Sequence, residues 1–392
     1  MNLAAQRARF PAITESETSE WARFDGPAGT QVVDSVLEAM DAWQRSGNNA
    51  NLGGVFDMAF ACDELADRTR STLARFLGAD KAGLTIGPSA TSMVMRLAVA
   101  AAHELGEGDE IVCTQIDHEA NVSPWLLVAR ERGVVVRFAQ LDPETGTLPT
   151  EAVEAQMTDR TKWVAVTGAS NVIGTIPDLA AITAVGQAAG AKVIVDGVHL
   201  TPHRRIDIDA IGCDAYVTSA YKWYGPHQSA MWVEPELLDS LQVYKVRPAL
   251  DKGPERIEWG TAPFEGMAGM TAAADYLLDL DMDALATHET AVFTPLLRGL
   301  QSMDHVTTYG MGGTEGRTPT IYFNVAGMSP NEVATALAAK QIAVWSGHNY
   351  GMEAVKALGL TDAGGGVRAG VSLYTSTADV QRLVDAVAEL TL

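Results

Sequence analysis

Between about residues 63 and 233 the apolar positions follow two alternating periods. The short runs IVCTQ (111–115), VVVRF (134–138), KWVAVT (162–167), KVIVD (192–196), AYVTS (215–219) and SAMWV (229–233) are rich in β-branched residues and read as strands. Several are apolar almost throughout, as strands covered on both faces are. Between most of them lie segments of helical period, at 92–105, 121–132 and 178–190. This alternation predicts a largely parallel sheet with helices on both faces. The last two runs are joined by a loop instead of a helix, so one strand is expected to run antiparallel.

After about residue 260 the texture changes. A long helical region (267–301) leads to a short run at 305–309, PTIYFNV (319–325) and a helix from Ser329. QIAVW (341–345), VRAGVSLY (367–374) and a closing helix (376–391) follow. The chain therefore reads as an α/β protein, with an N-terminal segment and large domain over 1–260 and a smaller α+β domain over 261–392. Neither internal repeats nor a low-complexity linker separates them, so the two should pack closely with a ligand cleft between.

Composition narrows the function classes. With 28 Lys+Arg against 49 Asp+Glu the formal net charge is −21, which argues against nucleic acid and disfavours an anionic membrane surface. It does not exclude a small anionic ligand in a locally positive pocket. The start of the chain lacks the apolar core of a secretory signal, and no window approaches a membrane span. Cys62, Cys113 and Cys213 lie far apart with no C-x-x-C spacing. The expectation is a reduced, cytoplasmic protein without a disulfide frame or a metal site.

The candidate chemistry begins at Lys222, in AYVTSAYKWYGPH, just past the end of a strand. Asp196 ends the strand KVIVD. Ligand sites in α/β sheets gather at such carboxyl ends. A lysine and a carboxylate there suit pyridoxal 5′-phosphate, whose aldehyde takes the amine and whose pyridine nitrogen takes the acid. On spacing alone the pair reads equally as an ion pair at a sheet edge. In LTIGPSATSMVMRL (84–97) a strand-like run, a Gly-Pro-Ser turn and a helix start make a phosphate cradle, or a plain N-cap by Ser89 or Thr91. Other cofactors fare worse. Glu315 stands where G-x-G-x-x-G needs its third glycine, and His118-Glu119 has no second histidine for a zinc pair.

Asp196-Gly197-Val198-His199, Ser219-Ala220-Tyr221-Lys222 and Gly87-Pro88-Ser89-Ala90-Thr91 together resemble the class V aminotransferase group of PLP enzymes. The resemblance is greatest to the cysteine desulfurase and selenocysteine lyase branch, in particular to its desulfurase-like subgroup without the usual cysteine. It implies a fold-type I homodimer with interface active sites and an amino-acid substrate. Residue by residue, it implies Lys222 as the Schiff-base lysine and proton shuttle, and Asp196 on the pyridine nitrogen. His118, in IDHEANVSPW, would stack on the ring, with Asn171 and His199 beside it. Ala90, Thr91, Ser219 and Tyr221 would hold the phosphate, and Thr261 would reach the phosphate of the partner subunit. Arg368 would clamp the substrate carboxylate, with Gly29 and Thr30 bordering the substrate.

The pattern departs from the desulfurases at one loop. Where they carry a stretch resembling R-x-G-H-x-C, this chain has Trp345-Ser346-Gly347-His348-Asn349-Tyr350. Tyr350 stands in the place of the cysteine and Trp345 in that of the arginine. A persulfide mechanism is therefore not expected. The expectation is α,β-elimination that cleaves the C–S bond of a cysteine-derived amino acid, from a Lys222 Schiff base. Epimerisation, transamination or decarboxylation-linked deamination is the alternative. Tyr350 and His348 are candidate acid, base or specificity residues, or they simply pack the loop.

Overall fold

A computed structural model describes residues 2–390. Its large sheet has seven strands, in the order Leu84–Gly87, Ser229–Val233, Ala215–Ser219, Lys192–Asp196, Thr161–Thr167, Glu110–Thr114, Val135–Ala139. Every pairing is parallel except those of Ser229–Val233, which runs against both neighbours. The loop connection between the last two predicted strands has that consequence. Alternate residues of the strands enter different cores. Val112, Val164 and Val193 join one apolar cluster, whereas Ile111, Ala165 and Ile194 join another on the opposite face. The period of two thus sandwiches the sheet between helical layers.

The small sheet has four antiparallel strands, in the order Trp345–Gly347, Gly366–Gly370, Thr320–Val325, Val306–Tyr309. Helices Met282–Gln301, Pro330–Ala338 and Thr377–Ala388 pack with it around a third core. The expected helical region at 267–301 is two helices, Phe264–Leu278 and Met282–Gln301, because the side chain of Asp281 caps a new start by accepting from the Asp283 and Ala284 N–H groups. Phe264–Leu278 packs on the large-domain helices Asp34–Arg45 and Asp57–Leu77. The run 341–345 is also divided: Ile342–Ala343 pairs in parallel with Ala22–Arg23, and Trp345 opens the next strand.

The run 367–374 leaves the sheet at Gly370, where the N-terminal segment crosses it. A Cβ on Gly370 would lie 2.2 Å from Pro27 Cγ, so only glycine admits this approach. The closing helix ends at Ala388, and residue 391 of the expected range lies outside the described residues. Among the described residues no helix is long and apolar enough to cross a membrane.

Candidate active site

The carboxyl ends of strands Thr161–Thr167, Lys192–Asp196 and Ala215–Ser219 open into a cavity of about 740 Å³, and the small sheet supplies the facing wall. Asp196 is the last residue of its strand and is buried; its Oδ1 accepts from Val198 N at 3.0 Å. Burial pushes this carboxyl up to about 6, against the Val198 N–H and the charge of Lys222. Lys222 closes the short turn Ala220–Lys222 after its strand, and its Nζ donates to the carbonyl of Pro27. Burial, then the charge of Arg368, pulls the amine down to about 7, while Asp196 works the other way. The surrounding backbone is pinned by Thr30, whose Oγ1 donates to Tyr221 O at 3.0 Å and accepts from Tyr224 N at 3.0 Å.

The glycine-proline turn carries the N-cap of the sequence reading. Ser89 caps helix Ala90–Ala101 by accepting from Ser92 N at 3.2 Å. That leaves the first-turn N–H groups of Ala90 and Thr91 without an intrahelical acceptor, as an anion-binding helix start would have them. Ala90 and Thr91 both line the cavity. Ser219 also lines it and shares a 2.7 Å hydrogen bond with Ser229. The Tyr221 ring lies between two neighbours, stacked on His227 with centroids 5.0 Å apart and with Lys222 Nζ 5.1 Å from its centroid.

Around the same cavity, His118 Nδ1 accepts from Ala120 N at 3.0 Å, fixing the ring. Burial pulls it down to about 3, so it is neutral at physiological pH. His199 is buried with Nε2 within 3.0 Å of Thr320 Oγ1 and 3.1 Å of Thr318 Oγ1, two hydroxyls at the start of a small-sheet strand. Arg368 is only 4% exposed and donates through one NH group to Asn171 O at 2.9 Å. Its Nε and the Asn171 Oδ1 are buried with no partner among the described residues. A buried guanidinium without a carboxylate is an anion receptor in waiting. Burial pulls it down to about 10, so it remains a cation.

The loop 347–350 is tied down. Asn171 Nδ2 donates to Asn349 O at 2.6 Å, Glu119 N to Tyr350 O at 2.8 Å, and Tyr322 Oη to Gly347 O at 2.6 Å. Asn349 and Tyr350 both take left-handed backbone conformations, φ 50° and 58°. The Tyr350 ring stacks on His118, centroids 5.4 Å apart and 26° between planes, and meets His348 edge-on.

Three expected residues, Gly29, Thr30 and Thr261, lie apart from the cavity wall. Gly29 sits behind it, where a Cβ would meet the Tyr221 ring at 3.2 Å. Thr261 is exposed. Cys62, Cys113 and Cys213 are all buried, and none lines the cavity. Sequence reasoning does not single out Pro27 or Thr167, which line the cavity; the signal for Thr167 is its place at a strand end beside Asp196. Asp117 was also missed. It is buried under His118, accepts from Thr114 Oγ1 and from Asn121 Nδ2 at 2.7 Å, and burial pushes it up to about 8.

The residues present fit pyridoxal phosphate: a helix N-terminus, a buried amine, a buried carboxylate at a neighbouring strand end, and the buried, unpartnered Asn171 Oδ1 in the same wall. Comparison with known proteins agrees. The family model of the class-V aminotransferases matches residues 23–383. An uncharacterized protein of Mycobacterium tuberculosis (strain CDC 1551 / Oshkosh) is 32% identical over 99% of this chain and 100% of its own. A probable cysteine desulfurase of Halalkalibacterium halodurans is 31% identical over 98% of this chain and 96% of its own. Among solved structures, a cysteine desulfurase from Thermococcus onnurineus NA1 superposes with a TM-score of 0.90 at 24% identity, covering 99% of this chain and 97% of that one, a likeness of fold.

Proposed function

The chain belongs to the class V aminotransferase family, and on that premise we propose that it is a PLP-dependent carbon–sulfur lyase acting on a cysteine-derived amino acid. One observation carries the reading. A buried lysine, carboxylate and unpaired arginine meet in a cavity to which no cysteine contributes. When bound, pyridoxal phosphate supplies an aldehyde for the amine and a pyridine that draws off the electron pair left at the substrate Cα.

The chain's own residues do the rest. Ala90 and Thr91 would hold the phosphate, helped by Ser219 and Tyr221, while Asp196 holds the ring nitrogen and His118 lies against the ring. Asn171 and His199 border its edge. Arg368 holds the substrate carboxylate, which places the Cα–H toward Lys222. An amine pulled down to about 7 is substantially neutral at physiological pH and can take that proton on Nζ. The C–S bond then breaks with its electron pair on sulfur, and a proton delivered to that sulfur completes the thiol. Tyr350 and His348, which also line the cavity, would deliver it. The released 2-aminoacrylate takes up water to give a keto acid and ammonia.

Two features support a cytoplasmic homodimer. Thr261 is exposed and apart from its own chain's cavity, and Val55, Phe56 and Trp259 leave large apolar surface uncovered in a single chain. All three cysteines are free. The test is turnover of S-substituted cysteines by the holoenzyme and by Lys222→Ala. Thiol and keto acid should form with the former alone; recovery of only racemised amino acid would replace elimination with epimerisation.

A further inference from the structure

The register of the small sheet says more about the substrate. Trp345 pairs directly with Arg368, and Arg368 with Tyr322, across antiparallel strands. Directly opposed residues project from one face, so these three side chains form a row. Arg368 and Trp345 of that row line the cavity. Whatever carboxylate Arg368 holds, the group carried beyond it lies next to an indole.

That indole is 52% exposed, and Tyr350, on the adjoining loop, is 64% exposed. Both line the mouth of the same cavity. The backbone that carries the Tyr350 ring is held in place. It is left-handed, its carbonyl is held by Glu119 N, and its N–H donates to His348 Nδ1 at 3.0 Å. Apart from Arg368 and Lys222, no lysine or arginine lines the cavity, and Glu119 adds a carboxylate. The mouth therefore suits a flat, uncharged group and repels a second anion.

We infer that the substrate carries an aryl or aralkyl group on sulfur, seated against Trp345 and Tyr350, in place of the free thiol of cysteine. This rests on the lyase reading above. The experiment compares S-benzylcysteine, S-methylcysteine and cysteine as substrates of the holoenzyme. It also measures the binding of 2-amino-5-phenylpentanoic acid, which has no C–S bond, by the change in cofactor absorbance. S-benzylcysteine should exceed S-methylcysteine in kcat/KM by roughly 10- to 100-fold, the range a filled hydrophobic pocket provides. Trp345→Ala should bring that ratio close to one, and Trp345→Phe should retain most of it.

Equal turnover of the benzyl and methyl substrates by the wild type overturns the inference, as does a ratio unchanged in Trp345→Ala. The two readings fail separately. Trp345-dependent binding of the phenylpentanoic acid without thiol release from any sulfur substrate upholds the aromatic site and removes the lyase. Thiol release without discrimination does the reverse.

Discussion

Replacing Arg368 by methionine should stabilise the cofactor-free protein while removing its hold on amino acids. The guanidinium is 4% exposed, has no carboxylate partner among the described residues, and keeps one hydrogen bond, to Asn171 O. Burial lowers it from the ordinary 12.5 to about 10, a penalty of about 3 kcal/mol on the charged form inside the fold. Below pH 10 that penalty is fully present, so the gain should not vary between pH 6 and 8. Methionine fills similar space without a charge, and loss of the bond to the Asn171 carbonyl returns about 1–2 kcal/mol. The net gain is about 1–2 kcal/mol, a rise in Tm of about 1–4 °C by calorimetry. Amino-acid binding should move the other way. A carboxylate left unpaired in a buried site costs about 3–5 kcal/mol, or a loss of affinity of roughly 10²- to 4 × 10³-fold in a titration of the holoenzyme. A Tm lowered as by an ordinary core substitution, or an unchanged affinity, would refute the reasoning.

Other predictions follow from the same contacts. In the cofactor-free protein, acylation of Lys222 followed by peptide mass should show a midpoint near pH 7 instead of 10.5; a midpoint above 9 contradicts the burial argument. Because the unfolded amine stays protonated up to about 10.5, this lysine's contribution to stability should rise with pH from about 7 and level off above 10.5. Glu110 is buried at a strand start between Arg137 (2.7 Å) and Arg160 (2.9 Å), and the hydrogen bond from Arg137 leads in holding it down to about 2. Its contribution is present above pH 4.5 and lost toward pH 2, so Glu110→Gln should cost about 1–2 kcal/mol in urea unfolding at pH 7, a gap that closes on acidification. Iodoacetamide should leave turnover intact, since all three cysteines are buried and burial raises Cys213 to about 12 and Cys113 well above its ordinary value; rapid inactivation matched by one alkylated cysteine would restore a thiol to the mechanism.

Much of the sheet and the site was legible because both follow short-range rules. Strand period placed Asp196 and Lys222 at carboxyl ends, and the order of strands turned those ends into one cavity. The missing helix before Ser229 announced the antiparallel strand. What escaped depends on contacts between distant segments. The pairing of Ala22–Arg23 with Ile342–Ala343 involves two residues on each side, too few for a periodic signal. Pro27 sits in a stretch that reads as loop, and only its docking on the lysine turn brings its carbonyl to Lys222 Nζ. Asp117 adjoins a residue that the motif did pick out, yet its burial follows from Thr114 and Asn121 closing over it. The break at Asp281 was visible as a capping residue, but continuous helical periodicity on either side concealed it.

The identity of the carbon product from an S-substituted cysteine bears most directly on how this cavity works. A lysine base beside an arginine clamp, with no thiol in the wall, should give keto acid and ammonia in amounts equal to the thiol released. Alanine as the carbon product, with the substituted sulfur retained on a cysteine of the protein as a mixed disulfide, would contradict it.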